Sequence, residues 1–245
     1  MVHHMLILYW NYLLEDNISN GREKKERTGD WRACPRKEAE EKMRKKGKGI
    51  VICICGMAGS GKSTVAKRIA AKYGLKYYSG GDALKALASE RGYNIERRGW
   101  WESEEGVKFL NERLKSPDFD RMVDAKLMEL AEEGNVVLDS WTMPWLLKRG
   151  FKVWLEASEE VRAKRIAERD GLTFEEALKF LREKEWRTKN IYRKLYGFRL
   201  GEDFKPFHLI IDSNILDAEE VFQTLSFVIE RYLPLWLEKT EGSTG

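Results

Sequence analysis

The sequence predicts an α/β protein of three layers, in which a central parallel five-stranded sheet carries helices on both faces. Strand-like and helix-like segments alternate along the chain from residue 49 onward. Strands that are joined through helices lie parallel in one sheet, because each crossover returns the chain to the same edge. Residues 50–55 are an unbroken apolar run, which is typical of a strand buried on both faces.

The composition excludes several classes of protein. Apolar residues make up 42% of the 245 residues, which is enough for a core, and no run of about 18 apolar residues predicts a membrane span. Three cysteines do not make a disulfide framework in a chain of this length, and a reducing compartment fits them better. We therefore expect a cytoplasmic protein without a membrane partner.

The net charge of +4 belongs to the first 48 residues, which hold 12 basic and 8 acidic side chains. Beyond residue 48, basic and acidic side chains are equal in number, so this part gives no electrostatic argument for a nucleic-acid partner. Residues 1–48 predict a flexible basic leader. The globular domain is expected at 49–235 and a C-terminal tail at 236–245.

Each predicted strand is a short apolar run bounded by glycine or polar residues. The five strands are expected at residues 50–55, 75–79, 136–138, 152–155 and 207–211.

Spacing and capping residues predict the helices. They are expected at residues 63–73, 82–91, 118–133, 158–169, 173–196 (as one helix or two) and 217–232. Asp82 and Ser158 are expected to cap the second and the fourth, and Thr173 with Glu176 forms a capping box for the fifth. Pro234 is expected to lie just beyond the last helix. Residues 92–117 lack a regular pattern and are expected to be irregular or partly helical, with Trp100 and Trp101 exposed.

The turn after the first strand fits the phosphate-loop pattern G-x-x-x-x-G-K-S. Its glycines let backbone N–H groups point at phosphates, and the following helix adds its partial positive charge. Lys62 is expected to reach the β- and γ-phosphates, and the Ser63 hydroxyl to bind Mg²⁺. The predicted nucleotide-binding residues are Gly56, Met57, Ala58, Gly59, Ser60, Gly61, Lys62, Ser63 and Thr64.

The remainder of the chain favours a kinase over other proteins that carry this loop. No guanine-specifying N-K-x-D motif stands in a suitable place, which argues against a GTPase, and the core is short for a motor ATPase. The prediction is a P-loop kinase fold with a small helical lid at about residues 158–197.

Acidic and basic side chains at the expected edge of the sheet extend the candidate site. Asp139 ends the third strand, where a carboxylate can hold Mg²⁺ through water. Arg162, Arg165 and Arg169 share one helix face, and we predict that Arg162 and Arg165 act with Lys62 on the migrating phosphoryl group. The alternative for these arginines is a solvated face that pairs with nearby glutamates.

Taken together, these residues resemble the nucleoside monophosphate kinases, and most closely the archaeal type of cytidylate kinase. The resemblance runs from about residue 50 to residue 232. It rests on the phosphate loop, on S-G-G-D at 79–82, D-R-x-x-D at 120–124, E-V-R-A-K-R-I-A-E-R at 160–169 and Y-R-K-L-Y-G at 192–197. It implies transfer of a phosphoryl group from ATP to CMP or dCMP with Mg²⁺, by a protein that we expect to be a monomer.

The resemblance also implies an acceptor site at Ser79, Asp82, Lys85, Arg121 and Asp124. Arg121 would clamp the acceptor phosphate and Asp124 would read the base or order the arginine. The alternative for Arg121 is an ordinary ion pair between residues three apart on a helix.

The acceptor half departs from the family pattern at three places. Lys85 stands where the family has an arginine, and Ser140-Trp141-Thr142 stands where glycine and arginine follow the acid. Near residues 184–192 the family has a serine and arginines, whereas this chain has Trp186, Arg187 and Ile191.

Two other functions stay open on the sequence. One is a P-loop kinase that phosphorylates a hydroxyl of a small molecule, a nucleoside or an RNA end, in which Asp82 or Asp139 would take the proton. The other is a nucleotide-binding regulator without catalysis.

Overall fold

The computed structural model describes residues 49–96 and 99–241. For residues 232–241 it describes the backbone alone. The predicted leader at 1–48 lies outside the described residues. The helices are α1 Lys62–Tyr73, α2 Gly80–Glu90, α3 Glu104–Lys115, α4 Asp118–Glu133, α5 Met143–Leu146, α6 Glu159–Asp170, α7 Phe174–Tyr196 and α8 Ala218–Glu241, with a 3₁₀ turn at Trp100–Glu102. The strands are β1 Val51–Gly56, β2 Lys76–Ser79, β3 Val136–Asp139, β4 Phe151–Glu156 and β5 Leu209–Asp212.

The five strands form one parallel sheet in the order β2-β3-β1-β4-β5. After β1 the chain adds β2 and β3 on one side of β1, and it then crosses over to add β4 and β5 on the other side. The carboxyl ends of β1, β3 and β4 therefore flank the topological switch point, where open α/β sheets bind ligands. The register places Asp139 of β3 beside Ile54 of β1 and Ser79 of β2.

Helices cover both faces of the sheet, as the sequence predicts. On one face Ile52 and Ile54 of β1 pack in one core with Ile69 of α1 and Leu225 of α8. On the other face Val51 and Cys53 belong to a second core with side chains of α2, α3 and α4. Among the described residues, no helix has the length and apolar character that a membrane span requires.

Three local expectations are corrected. The N-cap of α2 is Ser79, whose hydroxyl accepts from the Asp82 amide at 3.1 Å, so Asp82 lies inside the helix. Trp100, which was expected to be exposed, is buried at 2% exposure, because it packs on Phe109 of a helix in the stretch that was expected to be irregular or partly helical. The last helix does not stop before Pro234 but continues to Glu241, across the expected start of the tail.

Candidate active site

The phosphate loop connects β1 to α1 at the carboxyl edge of the sheet. A Cβ on Gly56 would lie 2.5 Å from the Leu155 carbonyl oxygen, and one on Gly59 would lie 2.7 Å from the Arg162 carbonyl oxygen. Gly59 also has a positive φ of 80°. Only glycine fits these two positions, so backbone contacts from β4 and α6 fix the path of the loop.

Ser63 and Asp139, the two predicted metal ligands, lie in direct contact. The Ser63 hydroxyl donates to the Asp139 carboxylate at 2.5 Å, and the Tyr77 hydroxyl donates to the same carboxylate at 3.1 Å. Asp139 is buried, and burial together with this carboxylate raises the pKa of Tyr77. The arrangement holds one carboxylate beside the first turn of α1, at the end of the phosphate loop.

Two cavities meet at the phosphate loop. The first lies between the loop, the start of α2, α4 and α7, and includes Ser79, Asp82 and Asp124 in its wall. The second lies between the loop, α6 and the segment after β5, and includes Thr64 and Arg165. Gly59, Lys62, Ser63 and Arg169 line both cavities. The two cavities therefore adjoin at the phosphate loop, beside Lys62.

The inner wall of the first cavity carries a buried carboxylate, Asp124. Its two oxygens accept from the Thr142 hydroxyl at 2.5 Å and from the Tyr196 hydroxyl at 2.6 Å. Burial raises the pKa of Asp124 to about 6, against the opposing effect of these two donors. An ionised carboxylate has about four acceptor sites, so Asp124 can still accept a bond from a ligand.

Arg113 is a site residue that the sequence analysis missed. It lines the first cavity at 3% exposure and forms two bonds to Asp120, at 2.5 Å and 3.1 Å. Asp120 stands in the D-R-x-x-D motif, but Arg113 lies on α3, in the stretch for which no regular pattern was recognised. In the sequence, the only signal for Arg113 was its acidic partner Asp120, seven residues later.

Two predicted acceptor residues do not reach the first cavity. Arg121 points to the exposed side of α4 and pairs with Asp118 at 3.7 Å. Its neighbours Asp120 and Asp124 face the cavity instead, because helical geometry turns position 121 away from it. Lys85 is half-buried on α2 and is not part of the cavity wall.

Arg162 supports the phosphate loop rather than facing a phosphate. Its guanidinium donates to the carbonyl oxygens of Ala157 at 3.0 Å and Ala58 at 3.1 Å, and forms an ion pair with Glu185. The residue is buried at 6% exposure and lines neither cavity. The structure therefore places the Arg162 guanidinium against the phosphate loop and outside both cavity walls, away from the place expected for a group that contacts the migrating phosphoryl.

Arg165 and Arg169 lie nearer to the predicted place. Arg165 lines the second cavity and donates to the carbonyl oxygens of Ser213 at 2.6 Å and Leu216 at 3.4 Å, which ties α6 to the segment after β5. Arg169 reaches both cavities and pairs with Asp170 at 2.5 Å.

The buried ion pair gives a stability prediction. Glu185→Ala is expected to lower the free energy of unfolding by about 3 to 5 kcal/mol, because it leaves Arg162 buried without a counter-charge. The matched control is Glu159→Ala, since Glu159 joins the same two helices through Arg182 at 2.7 Å on the surface. Denaturant unfolding of both variants measures the difference, and equal losses would contradict the argument.

Trp141, in the loop after β3, contacts both ends of the phosphate loop. Its indole N–H donates to the Gly56 carbonyl oxygen at 2.6 Å, and the Lys62 ammonium lies 5.5 Å from its ring centroid. A lysine over an indole face is attracted to it electrostatically. The wall of the first cavity beside Lys62 is therefore aromatic.

Comparison with known proteins gives a consistent result. Residues 51–215 match the model of the cytidylate kinase-like family. The cytidylate kinase of Pyrococcus horikoshii is 34% identical over 187 residues, which cover 76% of this chain and 91% of that protein. The cytidylate kinase of Ignicoccus hospitalis is 36% identical over 178 residues, covering 71% of this chain and 96% of its own.

Solved structures that align with the chain include two kinases. A gluconokinase from Sinorhizobium meliloti aligns with a TM-score of 0.48 and 17% identity, covering 77% of this chain and 97% of its own. A shikimate kinase from Bacteroides thetaiotaomicron aligns with a TM-score of 0.46 and 19% identity, covering 74% and 98%.

Proposed function

The chain belongs to the cytidylate kinase-like family, and on that premise we propose that it transfers the γ-phosphoryl group of ATP to CMP or dCMP, forming ADP and CDP or dCDP. The observation that carries the proposal is the position of Lys62, which lines both cavities beside Ser63 and Asp139. Two nucleotides bound on either side of the loop would bring their phosphates together at this lysine.

The phosphate loop fits the donor nucleotide and Mg²⁺. The close backbone contacts at Gly56 and Gly59 fix the path of the loop, and the buried Ser60 hydroxyl has no hydrogen-bond partner among the described residues. Mg²⁺ is usually held by one or two protein oxygen ligands together with water and substrate phosphates. Ser63 and Asp139 offer that small set of oxygens, and within the described part of the chain no group of three or more Asp, Glu, His or Cys residues is arranged so that it could hold a metal ion by itself.

The reaction needs alignment and positive charge more than covalent catalysis. An oxygen of the acceptor phosphate attacks the γ-phosphorus, a new P–O bond forms, and the bond from that phosphorus to the β–γ bridging oxygen breaks. Lys62 stabilises the negative charge on the oxygens of the phosphoryl group during its transfer. Ser63 and Asp139 would hold Mg²⁺, which would neutralise the charge of the donor phosphates. An acceptor phosphate is largely ionised at pH 7, so no general base is required.

We place the cytosine of the acceptor at Asp124. A carboxylate accepts a hydrogen bond from the 4-amino group of cytosine, whereas uracil presents a carbonyl oxygen at that position. The Thr142 and Tyr196 hydroxyls fix the orientation of the carboxylate. Asp124 is therefore proposed to select CMP over UMP.

This assignment predicts a pH-dependent preference. The pKa of Asp124 is about 6, so its carboxylate is present above that pH and is lost as the pH falls through it. The ratio of kcat/KM for CMP to that for UMP is expected to fall between pH 7.5 and pH 5. Ionisation of the acceptor phosphate cancels in this ratio, because both nucleotides share it. In Asp124→Asn this ratio should be low and should not change with pH. A ratio in Asp124→Asn equal to that of the wild type would contradict the assignment.

The proposed reaction is tested by ADP release from the full chain with ATP and Mg²⁺ against CMP, dCMP, UMP, AMP, GMP, cytidine and other alcohols. Turnover with CMP and dCMP supports the proposal. Turnover with an alcohol but with no monophosphate would favour the hydroxyl kinase, with Asp82 as the candidate base in the first cavity. Binding of ATP without turnover on any acceptor would favour the regulator.

We also propose that the protein works as a monomer in the cytoplasm. Residues of a single chain line both cavities, so the proposed site needs no second copy. The cytoplasm holds the substrates that the reaction needs.

A further inference from the structure

Three charged side chains from three different elements meet at the wall of the first cavity that faces the lid. Glu102 belongs to the 3₁₀ turn, Arg169 to α6 and Lys184 to α7, and all three line the cavity. The Glu102 carboxylate lies 3.5 Å from the Lys184 ammonium and 3.6 Å from the Arg169 guanidinium. We call these three residues the lid charge cluster.

Two members of the lid charge cluster, Glu102 and Lys184, are largely buried but only loosely paired, whereas the Arg169 side chain is 53% exposed. The side chains of Glu102 and Lys184 are 4% and 15% exposed, and one carboxylate oxygen of Glu102 has no hydrogen-bond partner among the described residues. The Lys184 ammonium lies 4.9 Å from the centroid of the Trp101 ring. Burial lowers the pKa of Lys184 against the opposing effect of Glu102, which indicates that the carboxylate does not fully compensate the lost hydration.

The other cations of the first cavity already have closer partners or another role. Arg113 is held by Asp120 in two bonds, and Arg169 donates to Asp170 at 2.8 Å and 2.5 Å. Lys62 lies at the loop shared with the second cavity. On the side of Trp141 the wall is aromatic. Lys184 is therefore the cation that can most easily turn to an incoming anion.

We infer that Lys184 binds the phosphate of the acceptor nucleotide, and that Glu102 holds the Lys184 ammonium in the cavity until that phosphate replaces the carboxylate. When the base of the acceptor nucleotide is bound at Asp124, its phosphate has to lie between Asp124 and Lys62, in the cavity that Lys184 lines. A charge-assisted bond to a phosphate is stronger than the loose pair with Glu102. This inference rests on the proposed function and adds a substrate-binding residue to it.

The test measures dissociation constants of CMP and cytidine for the full chain by calorimetry. Their ratio isolates the contribution of the phosphate, because both ligands carry the same base and sugar. Lys184→Met is expected to reduce the ratio of the cytidine constant to the CMP constant by about tenfold, the loss of roughly one charge-assisted hydrogen bond. Lys184→Arg should retain most of the ratio. The KM for ATP should stay within about twofold of wild type, since Lys184 does not line the second cavity.

The matched control is Lys179→Met, because Lys179 lies on the same helix and is exposed. Glu102→Gln tests the other half of the inference: it should tighten CMP binding and leave cytidine binding unchanged, since a buried negative charge near the phosphate is removed. Thermal unfolding of each variant separates loss of binding from loss of folding. If Lys184→Met fails to fold, the double variant Glu102→Gln with Lys184→Met, which removes both charges, is measured instead.

The outcomes distinguish this inference from the proposed function. If wild type does not phosphorylate CMP, the proposed function fails, whatever the variants do. If wild type phosphorylates CMP and the cytidine-to-CMP ratio is the same in the Lys184 and Lys179 variants, only the assignment of Lys184 is overturned. Weaker CMP binding by Glu102→Gln would overturn the role given to the carboxylate.

Discussion

Lys62→Ala is expected to lower kcat by about a thousandfold while the protein remains folded. The ammonium lies on the phosphate loop where the two cavities adjoin, which is the place proposed for transfer of the phosphoryl group from donor to acceptor. Its contact with the Trp141 ring is at 5.5 Å, and the side chain is only half-buried, so its loss leaves no core cavity. Steady-state kinetics with ATP and CMP, and the thermal unfolding midpoint, measure the two effects separately.

Lys164→Ala is the control for this prediction. Lys164 is an exposed lysine of α6 that lines neither cavity, so its replacement removes the same charge from the protein without touching the site. We expect near wild-type kcat from it. If Lys62→Ala keeps a kcat as high as that of Lys164→Ala, Lys62 does not act on the phosphoryl group and the donor site is assigned to the wrong loop.

The sequence predicted those parts of the site that depend on local pattern. The phosphate loop is contiguous, and its glycines and its lysine are recognisable without knowledge of distant contacts. Asp139 was predicted because a carboxylate at the end of a buried strand must emerge at the carboxyl edge of a parallel sheet. Its contact with Ser63 at 2.5 Å agrees with that reasoning. The same strand patterns gave the five-stranded sheet.

The parts that failed depend on which way a helical residue points and on what is buried against it. Arg121 was assigned from the resemblance carried by D-R-x-x-D, and Arg162 from the helix face that it shares with Arg165. In the structure Arg121 faces solvent, and Arg162 is enclosed by Glu185 and two carbonyl oxygens. Neither a motif nor helical spacing shows which other side chains will be buried against a given face of a helix. Glu185 lies 23 positions from Arg162 along the chain, and no periodicity connects them.

Residues of the acceptor cavity were missed for a related reason. Arg113 and Glu102 lie in the stretch 92–117, where alternation and helical spacing are weak, and yet this stretch folds into a 3₁₀ turn and a helix around Trp100 and Phe109. Tertiary packing of these aromatic rings stabilises the segment, and packing of this kind is not visible in a single sequence. The acceptor side was therefore predicted less well than the donor side.

Asp139→Asn is expected to reduce kcat by at least about a hundredfold and to raise the Mg²⁺ concentration needed for half-maximal activity. The substitution keeps the shape of the side chain and an oxygen that can accept from Ser63 and Tyr77, so the fold should persist. It removes the negative charge of the carboxylate that accepts from Ser63 in the first turn of α1, at the predicted metal position. Initial rates across a Mg²⁺ titration at saturating ATP and CMP measure the effect.

Asp118→Asn is the control, because Asp118 is an exposed carboxylate at the start of α4 that lines neither cavity. A metal role for Asp139 requires that the Mg²⁺ dependence change in Asp139→Asn and not in Asp118→Asn. If kcat falls in Asp139→Asn but the Mg²⁺ dependence stays at the wild-type value, the carboxylate orients Ser63 and the loop instead of holding the metal. Retention of the wild-type rate would reject both roles, and with them the assignment of this edge of the sheet as the place of phosphoryl transfer.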